Sequence, residues 1–191
     1  MRIRKVAFVL LACAAGTCTF VDLGQAQSPA RSATPAQPKA GDAAPTPRNQ
    51  ATLAQLMKGI VYPNSNVIFF AQSENPADVP PAKDPSMATN PLASSYGRWE
   101  AVENSALAIA EAASLLSIPG RKCSNGLAVP IRNADWPKLV QGLRDAGMAS
   151  YKAAQSKNQD NILMAADVMT TACANCHDKY RERQNLADRC K

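Results

Sequence analysis

From residue 48 onward, hydrophobic positions recur at helical spacing, and proline-rich stretches separate the runs. Leu53, Leu56, Met57, Ile60 and Val61 fall at i, i+3, i+4, i+7 and i+8, which draws one apolar stripe along a helix opening near Thr46 and Pro47. Pro63 should kink or end that helix, since it has no N–H and its ring collides with the preceding turn. Val67, Ile68, Phe69 and Phe70 predict that the helix resumes for two turns after Asn64, Ser65 and Asn66. Prolines 76, 80, 81 and 85 exclude regular structure over residues 73–89. A second helix is predicted over residues 90–117, with Asn90 as cap and Pro91 at the first helical position. Its inward face reads Leu92, Tyr96, Trp99, Val102, Ala106, Ile109, Ala113 and Leu116, and the small residues there predict room for something flat. A third helix runs from Asp135 to about Ser156, with Trp136, Leu139, Val140, Leu143, Gly147 and Tyr151 on one side. The fourth covers residues 160–185 with the stripe Ile162, Ala166, Met169, Cys173, Cys176 and Tyr180. No period-two run competes with these helices, so the pattern predicts an all-α domain, an antiparallel four-helix bundle.

The last stripe carries the candidate chemistry. Cys173-Ala174-Asn175-Cys176-His177 contains the only histidine in the chain. On a helix, thiols at i and i+3 enter one seam, and an imidazole four residues after the first lies over it. Two such thiols can add across the vinyl groups of a haem while the imidazole ligates iron, the attachment mode of one covalent haem c. Two other chemistries use the same residues. A redox dithiol normally follows a strand and opens a helix, whereas the run before Cys173 is helical. A zinc site would need Cys173, Cys176, His177 and either Cys123 or Cys190, with no second CxxC or HxxxH in the chain to support it.

The N-terminus adds a compartment. Arg2, Arg4 and Lys5 precede an apolar run from Val6 to Val21, and Gly24-Gln25-Ala26 offers a small-x-small cleavage point. Residues 1–26 therefore read as an export signal, residues 27–47 as a proline- and alanine-rich disordered tether, and residues 48–191 as the folded domain. A second reading takes Leu10-Leu11-Ala12-Cys13 as a lipobox, which would leave Cys13 lipidated and the protein membrane-anchored. Either route leads to an oxidising compartment, read as the periplasm, where spare thiols pair; Cys123 and Cys190 are expected to form a disulfide. Removing residues 1–26 takes away three basic residues and one acid, which lowers the formal charge from +6 to +4. That excess forms no basic stripe interleaved with aromatics, so nucleic acid is not an expected partner. A basic face steering an acidic redox partner is compatible with it.

A helical bundle with CxxCH near its C-terminus resembles the class II c-type cytochromes, the cytochrome c-prime family and its low-spin relatives. The resemblance covers roughly residues 48–185. Cys-Ala-Asn-Cys-His-Asp-Lys-Tyr-Arg fits the family pattern of CxxCH followed, after two residues, by an aromatic and an arginine. Leu56-Met57-Lys58 falls where low-spin members keep a distal methionine. The resemblance implies Cys173 and Cys176 as haem attachment points, His177 as proximal iron ligand, Met57 as distal ligand and Arg181 as a propionate contact. Met164 and Met169 precede His177 on its own helix, Met87 lies in a loop, Met148 is turned away, and Lys58 points about 100° from Met57. The implied function is single-electron carriage between periplasmic redox partner proteins, with no enzymatic activity of its own. The family's other branch leaves iron five-coordinate and high-spin to bind nitric oxide or carbon monoxide. Family members often dimerise through helices one and two, so a homodimer is admitted. The proline-rich 73–89 loop, Pro63 and the Cys123/Cys190 pair depart from the family pattern.

Overall fold

The computed structural model describes residues 48–190, all within the compact unit Pro45–Lys191. The expected export signal, Cys13 and the tether lie outside the described residues. The described chain is all-α, with four helices, short 3₁₀ turns and no strand, and one isolated bridge between Lys122 and Ala128. No helix among the described residues is long and apolar enough to cross a membrane.

The first helix, α1, has three contiguous parts: α-helical Leu53–Leu56, π-helical Met57–Val61 and α-helical Tyr62–Ser73. It opens later than expected because Thr52 and Gln55 form a reciprocal cap. The Gln55 amide donates to Thr52 Oγ1 at 3.2 Å, and the Thr52 amide donates to Gln55 Oε1 at 2.8 Å. Pro63 neither ends nor interrupts the helix. The π-helical turn just before it opens the backbone, with the Tyr62 amide bonded to the Met57 carbonyl five residues back. Leu53, Leu56, Val61, Val67, Ile68 and Ala71 are buried, while Met57 and Ile60 are half-buried against the same core.

The second helix, α2, is Arg98–Leu115, starting seven residues later than the sequence cap suggested. Asn90 does cap, since the Leu92 amide donates to its Oδ1 at 3.0 Å, but what it caps is the single 3₁₀ turn Pro91–Ala93. The chain then folds back so tightly that a Cβ on Gly97 would sit 2.4 Å from the Leu92 carbonyl oxygen. Leu92 is buried as expected, whereas Tyr96, outside the helix, is exposed. The third helix, α3, is Trp136–Ser156, ended by Lys157 in the left-handed region. The fourth, α4, is Gln159–Tyr180, with Asn158 accepting from the Asn161 amide at 3.2 Å, and it stops five residues short of the expected end.

Each helix packs against two others: α1 on α2 and α4, α2 on α3, and α3 on α4. The contacts at the ends sort them. The Gln159 side chain at the start of α4 donates to the carbonyls of Ala71 and Gln72 at the end of α1, at 3.0 and 3.1 Å. At the opposite end, Lys179 in the last turn of α4 pairs with Asp135 before α3 at 2.6 Å. The buried Arg121 donates to Leu115 O at the end of α2 at 3.1 Å and to Ala51 O ahead of α1 at 2.5 Å.

The α2–α3 contact corrects one expectation. Small residues on α2 leave no slot; they let α3 approach until a Cβ on Gly147 would lie 2.9 Å from Ala106 O and Ala110 N. Ala106, Ala113, Ala146 and Ser150 complete a fully buried seam around this approach. The obstructing atoms are backbone, so no rotamer change relieves a larger side chain. Gly147→Leu is expected to lower unfolding free energy by about 3 kcal/mol, read from urea denaturation of the full chain. Unchanged stability would show that the helices do not pack this closely.

Candidate functional site

The buried stripe of α4 begins with Ile162, Ala166 and Met169, and continues at helical spacing into Cys173, Cys176 and Tyr180. Cys173 and Cys176 are half-buried and pack against the core; His177 is half-buried beside them. The helix thus brings the predicted trio to its last turns, with both thiols on the core side yet open enough to react.

Their protonation follows from that placement. Burial raises the Cys173 thiol, partly offset by Arg181, and pushes Cys176 up to about 11, with Cys173 and Asp135 adding to the shift. Burial lowers the His177 imidazole, and nearby Arg181 lowers it further. Both thiols are therefore protonated near neutral pH while the imidazole holds a free lone pair. An attack-ready dithiol needs the reverse, a thiol lowered by a helix N-terminus or adjacent cation. The zinc alternative also loses donors. Cys123 and Cys190 are paired with each other at bonding distance, Cα atoms 5.0 Å apart, and no three His, Cys, Asp or Glu among the described residues converge to hold a metal ion.

Tyr180 anchors the turn that carries His177. It is buried, and its ring meets Trp136 edge-on at a centroid distance of 5.1 Å. Its hydroxyl donates to Asp135 Oδ1 at 2.8 Å and accepts from Asn133 Nδ2 at 3.1 Å. Hydrogen bonds from Lys179 and Tyr180 hold the Asp135 carboxyl below the ordinary carboxylate range. Asp135 stands where a helix-capping acid would, but its side chain is spent on α4. The Tyr180 carbonyl accepts the Cys190 amide at 3.0 Å, and Asn125 Nδ2 donates to Arg189 O at 2.7 Å, so the tail folds back onto the loop that holds Cys123. Sequence spacing marked Tyr180 as inward-facing; the partners of its hydroxyl come from 45 and 47 residues away and left no local signal.

The other expected ligands fall as follows. Met57 is half-buried at the head of the π-helical turn and packs on the same core as Cys173 and Cys176, while Lys58 is exposed. Met87 and Met164 are exposed at 77% and 62%, Met148 lies on the outer side of α3, and Met169 is fully buried on the helix of His177 itself. Among the described residues, Met57 is thus the methionine that is half-buried against the core and carried by a helix other than α4. Arg181 caps α4, its guanidinium turned to the Glu182 carboxylate at the surface.

These residues suit a covalently held haem. The donor set is two half-buried thiols on the core side of one helix and a neutral imidazole beside them. Trp136 Nε1, behind Tyr180, is a buried donor with no acceptor among the described residues. Two surface hollows of about 450 and 580 Å³, one beside Trp99 and Lys157 and the other beside Val79 and Ala93, involve neither the trio nor Met57. No protein-family model, curated protein or solved structure matches the chain.

The Cys123–Cys190 pair spans 67 residues and closes the segment that contains α3 and α4. Replacing both cysteines with serine is expected to cost about 4 kcal/mol on the chain-entropy account, measured by urea unfolding under oxidising conditions. A loss below about 1 kcal/mol would mean that the tail contacts alone hold this end.

Proposed function

We propose that the mature chain is an exported mono-haem c-type cytochrome that carries single electrons between periplasmic redox partner proteins. The observation that carries this reading is the placement of Cys173, Cys176 and His177 on the core side of one helix end, against the core that Met57 shares. In this reading the four helices form an antiparallel bundle of the class II cytochrome kind, supported by the alternating end contacts of Arg121, Gln159 and Lys179. Cys173 and Cys176 would hold haem c through thioethers, His177 through a ring nitrogen and Met57 through its sulfur. Bound haem supplies a one-electron ferric–ferrous couple.

The chain's own residues serve that couple by holding still. Burial keeps His177 deprotonated and ready to ligate, and Tyr180 pins the turn beneath it. A thioether sulfur on α1 and an imidazole on α4 suit both oxidation states, so electron transfer needs little rearrangement. Arg181, already at the surface beside the site, could exchange Glu182 for a propionate. This is a carrier and not an enzyme. Export follows from the N-terminal sequence, with anchoring at Cys13 as the variant that changes location but not chemistry.

Expressed with a c-type maturation system, the protein is expected to retain haem through acid-acetone extraction, and Cys173→Ser with Cys176→Ser to lose it. The ferric protein should show a far-red methionine-to-iron band. Met57→Ala should abolish that band, turn the iron high-spin and let the reduced protein bind carbon monoxide. A high-spin spectrum with Met57 intact would favour the gas-binding branch, and absence of haem would sink both.

A further inference from the structure

The reading of Met57 as sixth ligand leaves open what aims its side chain. Helix α1 is held in register at both ends. At its start stand the Thr52–Gln55 cap and the Leu53 amide bonded to Lys122 O at 2.9 Å; at its end, Ala71 and Gln72 carbonyls take the Gln159 side chain. Between these anchors the chain carries one residue more than a regular α-helix would use, absorbed by the π-helical turn Met57–Val61. A residue subtends about 100° on a helix, so this extra residue rotates everything before the turn by about that angle relative to everything after it. Met57 stands at the head of the turn. Val67, Ile68 and Ala71, buried beyond it, fix the other half.

Pro63 supplies the reason the turn sits here and not elsewhere. In a regular helix its ring would press on the Gly59 carbonyl and its nitrogen could return no hydrogen bond. The wider turn removes that conflict. Gly59 is exposed with nothing near its Cβ position, and the Ile60 carbonyl takes the Asn64 side chain at 2.7 Å, bracing the turn from the far side. Wide turns of this kind within α-helices occur frequently at functional sites.

We propose that Pro63 is a positioning residue for the distal ligand: it locks the π-helical turn at Met57–Val61 and so turns Met57 toward the core against which Cys173 and Cys176 also pack. The proposal rests on the ligand reading above. Without Pro63, an amide at position 63 can bond Gly59 O in α-register, the extra residue is free to migrate along the helix, and Met57 spends part of its time turned away. The ligand's hold on iron then weakens although no residue touching iron has changed.

The test uses the haem-loaded full-length protein. Pro63→Ala is expected to weaken the far-red band and to raise imidazole affinity of the ferric form about tenfold, because the Met-off fraction rises by that factor. Helix content by circular dichroism should stay unchanged. Deleting Gly59 in the Pro63→Ala background removes the extra residue outright and should abolish the band, giving the spectrum of Met57→Ala. If Pro63→Ala keeps the wild-type band and imidazole affinity, the proposal is overturned, whatever becomes of the shortened chain. If the wild-type protein itself lacks the band and Met57→Ala changes nothing, the ligand reading fails and takes the proposal with it. A band lost in the Gly59 deletion and weakened in Pro63→Ala, with Met57 intact in both, is the signature of aiming.

Discussion

A helix that carries its chemistry in its last turns sets itself a physical problem, because the final carbonyls lack intrahelical partners and the end tends to fray. Here the end of α4 is held by Tyr180, three residues past His177. Its ring is edge-packed on Trp136, its hydroxyl is shared between Asp135 and Asn133, and its carbonyl is bonded to the returning tail. These contacts reach the start of α3, the preceding loop and the Cys190 segment together. The position of the thiols and imidazole relative to the other helices therefore depends on one aromatic residue whose polar and apolar parts are both satisfied.

The opposite wall of the site is governed by backbone geometry. Helix α1 is fastened at both ends and absorbs Pro63 by widening, while α2 and α3 close on one another at Gly147. The tight α2–α3 seam removes any slot between those two helices. Met57 and Ile60 on α1 and Cys173 and Cys176 on α4 are half-buried against the core. Proximal and distal candidates thus pack on one core for reasons that do not involve iron.

Much of this was legible in sequence, and the exceptions have physical causes. The stripe from Ile162 to Tyr180 read correctly because a single helical period runs through it, and the Cys123–Cys190 pairing followed from counting thiols outside the motif. Asn90 and Pro91 formed a sound start signal for one turn, but a cap says nothing of how far a helix continues, and the close approach at Gly97 breaks it. Pro63 was read as a kink or a break because local rules place proline in a regular helix; here a π-helical turn accommodates it within a helix whose two ends are held by distant partners. The small residues of α2 were ambiguous by nature, since a row of alanines can border a gap or admit a neighbour. Which holds depends on Gly147, some 40 residues on.

The Cys123–Cys190 bond also divides the chain in a way that no single contact does. It closes α3, α4 and the trio into a covalent ring, and leaves α1 and α2 as an arm outside it. Parts of a fold open locally at different free energies, and a segment outside a covalent ring has more chain entropy to gain on opening. In such a molecule His177 belongs to the ring and Met57 to the arm. Opening of the arm would uncover Met57 while Cys173, Cys176 and His177 stay folded within the ring, so the two halves of the candidate site are built with unequal endurance.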